Sequence, residues 1–386
     1  MTDIDPIAPR DTGKKIAFAG FTLVFLVVLL EIALRISGYG NSCQGQYTKD
    51  AIWACDPILY FKLNPLLDIN NDSLNKAGFR THEFSPKPPG VYRVLSLGDS
   101  CTFGITTTTM FEYIPTPYPR RLEELAAEHG GTRKVEVLNA GVPGYNSFQG
   151  VMLMRTKLRG LQPDLVTVRY GWNDHFMSRQ MSGDAFREPD NRLLLGIQDL
   201  LLRTAIYPSL RRLRQDLETA SRRSATAKAT VAEIPHEWIP TISIDLYKHN
   251  LRRIAEIARA RGAEVWFLTS PHAFVTDENR GQYDKFPAGP SAKQLLVFNA
   301  IPSFERLIEI HESYNAATRE VGAELGAPVI DMDALYRRHS SEHLFTSQDV
   351  PHPTQAGHDL EAEALYAQML AEGIVRPEPP APISGN

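Results

Sequence analysis

The sequence predicts an α/β fold, a parallel sheet layered between helices, behind a single N-terminal membrane-crossing helix. Three observations carry this. From Tyr92 onward, short apolar runs alternate with amphipathic segments of helical length, the pattern of a parallel sheet sandwiched between helices. The first three apolar runs each end in a loop rich in Gly, Asn, Asp or Ser, as parallel strands do where ligands bind. And Ile16 to Leu34 is apolar apart from Glu31, close to the roughly 20 residues that span a bilayer.

The elements follow in order. Arg10, Lys14 and Lys15 flank the N-terminal end of the apolar run, so the positive-inside rule places the bulk of the chain outside the cytoplasm. The expected division is a cytoplasmic tail over 1–14, a signal anchor over 15–36 and a juxtamembrane collar over 37–91. A cleaved signal is the competing reading, but the run is long for an h-region and "GYG" at Gly38–Gly40 is a poor cleavage site. Glu31 belongs near the outer interface, where an ionised group costs far less than at the midplane. Cys43 and Cys55 lie just beyond the anchor, where an oxidising compartment permits a small disulfide loop.

After "SPKPPG" the pattern changes. "YRVLSL" reads as a strand, "YPRRLEELAAEHG" as a helix ended by glycine, "KVEVLNA" as a second strand and "SFQGVMLMRTKLRGL" as a helix. "DLVTVRY" is a third strand. An insertion over 179–240 follows, with Leu193, Leu194, Ile197, Leu201 and Leu202 on one stripe and Arg211, Arg212 and Arg214 later. It fits a helical pair packed on the domain, a lid over a cleft, or a surface resting on the membrane. "DLYKHNLRRIAEIARARG" and "AEVWFLTSP", then "SFERLIEIHESYNAATREVGAELG" and "APVIDM", repeat the helix–strand order. A last helix runs from Gln355 to Ala371 with Thr354 as its N-cap, closing a domain over 92–376, and 377–386 reads as a disordered tail.

The net charge of −4 and the lack of a basic run argue against nucleic-acid binding. No Cys/His cluster suggests zinc, no His-Glu pair extends to H-E-x-x-H, and no glycine-rich phosphate loop appears, so no cofactor or metal is expected.

The chemistry collects at the strand exits: "GDSCTFG" after the first strand, "NAGVPGYNS" after the second and "RYGWNDHF" after the third. A serine nucleophile at Ser100 needs a base, an acid that orients the base, and donors aimed at the developing oxyanion. "SQDVPHPTQAGHDL" supplies Asp349 and His352 three residues apart, just before the last helix. Cys101 is expected to be buried and structural, and Asp99 and Asp174 to hydrogen-bond their own loops. His175 adjoins the Asn-Asp pair without the character of a base, and His343 and His358 lack a comparably placed acid.

From Tyr92 to the final helix the chain resembles the SGNH, or GDSL-type, hydrolase superfamily, named for a serine, a glycine, an asparagine and a histidine in separate blocks. The resemblance implies a three-layer, flavodoxin-like fold and a serine esterase acting on acyl, foremost O-acetyl, esters of glycans or lipids. On the matching blocks, Ser100 is the nucleophile, Gly144 a backbone donor to the oxyanion, Asn173 a side-chain donor, and Asp349 and His352 the acid and base. Gly141 competes with Gly144; the latter stands farther into its loop, where a bare backbone can approach a substrate. Cysteine replaces the usual leucine after Gly-Asp-Ser. An O-acyltransferase using the same triad, and a non-catalytic glycan-binding protein on the same fold, are the alternatives. The G-x-S-x-G elbow of the α/β-hydrolases is absent.

Overall fold

The computed structural model describes residues 12–41, 51–69, 72–106, 112–129, 133–176, 186–226, 238–273, 296, 299–339, 343–345 and 350–376. The chain divides into two compact units: residues 1–46, 54–61 and 189–230 in one, and 47–53, 62–188 and 231–386 in the other.

The larger unit is built on a five-stranded sheet. Its strands are β3 (Tyr92–Gly98), β4 (Val135–Gly141), β5 (Leu165–Arg169), β6 (Glu264–Leu268) and β7 (Val329–Ile330), all parallel, in the order β4-β3-β5-β6-β7. This is the flavodoxin-like order, 2-1-3-4-5 in terms of these five strands. A short pair, β1 (Trp53–Asp56) and β2 (Tyr60–Leu63), forms a separate two-stranded sheet. β3 and β5 are buried along their whole length, which explains why neither shows a strict apolar–polar alternation.

Right-handed crossovers decide where the helices go. The step from β3 to β4 runs one way along the sheet, and its helix α3 (Tyr118–Glu128) packs with α11 (Gln355–Ala371). All later steps run the other way, and α4 (Ser147–Arg155), α8 (Ile244–Arg259) and α9 (Phe304–Glu324) pack together as a second group. Tyr118, Leu122 and Leu125 of α3 and Ala362, Leu365 and Met369 of α11 share a core with Tyr92, Val94, Val137, Leu165 and Trp266 of the sheet. Helix α4 is shorter than its sequence suggests. It ends at Arg155, where Thr156 leaves helical geometry and turns its hydroxyl back onto the Met152 carbonyl. The last expected strand shrinks to two residues because Asp331 at once caps α10 (Met332–Arg338), its carboxylate accepting from the Ala334 amide.

Below the sheet's carboxyl edge lies a buried ion pair. Arg169, the last residue of β5, donates to Glu361 of α11 at 2.9 Å, with both side chains fully enclosed and the Tyr336 hydroxyl donating to the same carboxylate at 2.8 Å. Removing one partner of such a pair strands a charge in the core, which costs about 3–5 kcal/mol. Glu361→Gln is therefore expected to lower the unfolding free energy by about that amount. Denaturant melts check this, and a loss below 1 kcal/mol, roughly the worth of an exposed pair, would contradict it.

The smaller unit holds α1 (Thr12–Ser37), the 3₁₀ turn Tyr39–Asn41, α6 (Arg192–Leu201) and α7 (Ile206–Thr226). Gly13–Ser37 is long and apolar enough to cross a membrane, with a mean hydropathy of 2.6 over its best window and none of that window buried. The ends of the insertion, 179–185 and 227–237, and the tail 377–386 lie outside the described residues. Its described helices belong to the unit of α1, not to the unit of the sheet.

Candidate active site

Asp99 caps the short helix α2 (Ser100–Phe103), its carboxylate accepting from the Cys101 amide at 2.9 Å. Ser100 is thereby placed at the first helical position directly off β3. The turn is tight enough that the second strand must yield to it. A Cβ on Gly141 would sit 2.4 Å from the Phe103 amide nitrogen, so only glycine fits there.

His352 lies in the segment before α11, and its Nε2 is 2.7 Å from the Ser100 Oγ. Three bonds fix this segment. The Ala273 amide donates to the Val350 carbonyl at 3.1 Å, the Cys101 thiol to the Pro351 carbonyl at 3.2 Å, and the Thr354 amide to the Leu344 carbonyl at 2.8 Å. Thr354 also caps α11 by accepting from Gly357, as its place in the sequence indicates. Cys101 is buried as expected, and its thiol joins the helix of Ser100 to the segment of His352. The expected orienting acid, Asp349, lies outside the described residues, as does Cys43; Cys55 is disulfide-bonded.

The two expected oxyanion donors come from neighbouring strand exits. Gly98 pairs with Gly141 on one side and Arg169 on the other, so residues 100, 144 and 173 leave the same sheet edge within two to four residues of that row. Val142 to Tyr145 form a turn closed by Tyr145 N–H to the Val142 carbonyl at 3.1 Å, with Pro143 and Gly144 at its centre. Gly144 has φ +83°, the value a type II turn demands at its third position. The Gly141 amide donates to Asn139 Oδ1 at 2.9 Å. Asn173, in α5 (Trp172–His175), is half-buried and donates through Nδ2 to the Tyr145 carbonyl at 3.0 Å, tying the third exit to the second.

Asp174 holds these loops together. Its carboxylate accepts from the Ser147 amide and hydroxyl, at 3.0 and 2.5 Å, and from the Gly171 amide at 3.1 Å. Asn250 adds a bond to the Ser147 hydroxyl at 2.9 Å. Burial pushes Asp174 up to about 7, while the Ser147 bonds pull the other way. Burial also raises Asp99, opposed by the charge of Arg169.

His175 is buried away from base chemistry. Its Nε2 is 3.0 Å from His311 Nδ1, and His311 Nε2 donates to the Ser270 carbonyl at 2.7 Å. That bond makes His311 Nδ1 the acceptor, so His175 carries its proton on Nε2. His358 is enclosed and accepts the Tyr118 amide on Nδ1 at 3.2 Å. Sequence reasoning missed the His175–His311 pair because His311 sits 136 residues away within an ordinary amphipathic helix.

These histidines set an acid limit on stability. Burial first, then the nearby His272, pushes His175 down to about 3, and burial holds His311 well below its ordinary value. Both rings stay neutral when folded, whereas unfolded rings protonate near pH 6.5. Stability is thus lost as pH falls below about 6.5, and for His175 the loss levels off only below about 3. Asp174 runs oppositely: its contribution is full below its unfolded value near 4 and is lost as pH rises through about 7. His175→Gln is expected to reduce the slope of unfolding free energy between about pH 4 and 6 by about 1.4 kcal/mol per pH unit. Denaturation series across that window measure it, and an unchanged slope would show that His175 charges in the fold.

Among the described residues, one cluster has the donor types for a cation: His272, Glu312 and Asp333, with ligand atoms within 4.8 Å of one another. Arg337 already pairs with Glu312 and Asp333, and Arg319 lies 3.4 Å from Asp333, so guanidinium groups take the oxygens a cation would need.

A family model described as the GDSL-like lipase/acylhydrolase family matches residues 96–360. Comparison with curated protein sequences finds no relative that matches. Among solved structures, the chain is similar to a lipase/acylhydrolase from Enterococcus faecalis, with 17% identity over 75% of this chain and 99% of that one, at a TM-score of 0.44. It is also similar to the acetylxylan esterase Axe2 from Geobacillus stearothermophilus, with 14% identity over 72% and 94% of the two chains, at a TM-score of 0.40. With two thirds of its length inside the family model and that match running from β3 into the last helix, the chain belongs to the GDSL-like lipase/acylhydrolase family and is an SGNH-type serine hydrolase of ester bonds.

Proposed function

We propose that the chain is a membrane-anchored esterase whose domain over 92–376 lies outside the cytoplasm and removes acyl groups, foremost O-acetyl groups, from envelope or extracellular glycans or lipids. The observation that carries the reading is the 2.7 Å contact between Ser100 Oγ and His352 Nε2. In this reading Ser100 attacks the ester carbonyl and His352 takes the hydroxyl proton. Asp349 holds the other ring nitrogen and stabilises the imidazolium. The amides of Ser100 and Gly144 and the side chain of Asn173 donate to the oxyanion. His352 then gives its proton to the departing alkoxide, leaving acyl-Ser100. Water, deprotonated by His352, attacks that ester, and Ser100 regains its proton as the carboxylate leaves. The exposed Lys14 and Lys15 at the start of α1 support the orientation of the anchor.

Turnover of model esters graded from acetyl to long acyl chains tests the substrate class. A steep preference for acetyl supports deacetylation, and a preference for long chains would overturn it. Asn173→Ala tests the oxyanion assignment. Loss of one such donor costs about 10²–10³ in kcat. Because Asn173 is only half-buried, the melting temperature should hardly change. Undiminished turnover would remove Asn173 from the site.

A further inference from the structure

We propose that the helical insertion is a second membrane contact: the leucine faces of α6 and α7 lie in the outer leaflet of the bilayer that α1 crosses. This rests on the anchor reading of α1 and adds a surface to it.

The inference starts from the one acidic residue in the apolar run. Glu31 accepts from the amides of Ala205 and Ile206 at 2.8–3.1 Å, so its carboxylate sits on the first turn of α7. Arg35 pairs with Glu31 and donates to the Arg203 carbonyl at 2.9 Å. The elbow between α6 and α7 is therefore clamped to residues 31–35 of α1. From Lys15 to Arg35 a helix rises about 30 Å, the thickness of the hydrocarbon core. With the lysines at the inner boundary, the clamp lies at the outer one.

The two helices that meet at this elbow each carry an exposed apolar face. Leu193, Leu194, Ile197, Leu200 and Leu201 recur along one side of α6 and all are exposed, Leu193 by 72%. No residue of α6 is buried. On α7, Leu210, Leu213 and Leu217 do the same, with Leu217 63% exposed. An adjacent side of α7 is already used: Arg212 donates to the Tyr39 carbonyl and stacks on its ring, and Ser209 is buried. Eight large apolar side chains in a row are more than scattered surface leucines. They continue the exposed apolar shaft of α1 from which the clamp holds them, and an amphipathic helix at this depth buries its face between headgroups and acyl chains.

The full chain, reconstituted in phosphatidylethanolamine–phosphatidylglycerol vesicles, tests this with the photocrosslinker p-benzoylphenylalanine in place of Val27, Ile197 or, as a control, the exposed Ala260. Phospholipid adducts at 197 comparable in yield to those at 27, with none at 260, are expected. Adducts at 27 but not at 197 would overturn the inference and leave the anchor intact. Adducts at neither would overturn the anchor reading and the inference with it. Crosslinking of 197 to a second polypeptide in place of lipid would also overturn it.

Discussion

Ser100→Ala is expected to abolish ester hydrolysis while leaving the fold unchanged. Removal of the nucleophile of a serine hydrolase costs about 10⁴–10⁶ in kcat, because the remaining donors only bind and polarise the ester. The serine hydroxyl is partly exposed and makes its contact to His352, whereas the turn that carries it is held by Asp99, Cys101 and the close approach of Gly141. Its loss therefore leaves the cap and the packing in place. Paired measurements of kcat and melting temperature decide the matter. Retained turnover in a cleanly folded variant would place the nucleophile elsewhere.

His352→Ala is expected to cost nearly as much, and the double variant no more than either single one. Nucleophile and base act as a unit, so their losses do not add. The segment around position 352 is fixed through main-chain bonds to Ala273, Cys101 and Leu344, which the substitution spares. Independent losses that multiply in the double variant would show that His352 acts apart from Ser100.

The sheet and the strand exits were legible because their signals are local. Strand length, helix period and loop composition all lie within a dozen residues, and Thr354, Asp99 and Asp174 make the caps and loop bonds their neighbours imply. What escaped the sequence lies in pairings between distant segments. Arg169 and Glu361 stand 192 residues apart; Arg169 ends an apolar strand and Glu361 lies between Asp359 and Glu363, so nothing local marks either as half of a buried pair. Glu31 is a similar case. Its position in the apolar run suggests an interfacial residue, but the amides it accepts are 174 and 175 residues away. The insertion could be read three ways because amphipathicity reports an apolar face without naming its partner. The positive φ of Gly144 and the bond that takes the Gly141 amide are likewise invisible in the spacing of the two glycines.

A fluorophosphonate probe followed by peptide mapping of the wild-type chain tests the relay most directly. The hydroxyl at position 100 must be far more nucleophilic than any other serine in the molecule, so stoichiometric phosphonylation on the peptide carrying it is predicted, lost when His352 is removed. Modification at another serine, or none in an enzyme that still turns over esters, would contradict the account.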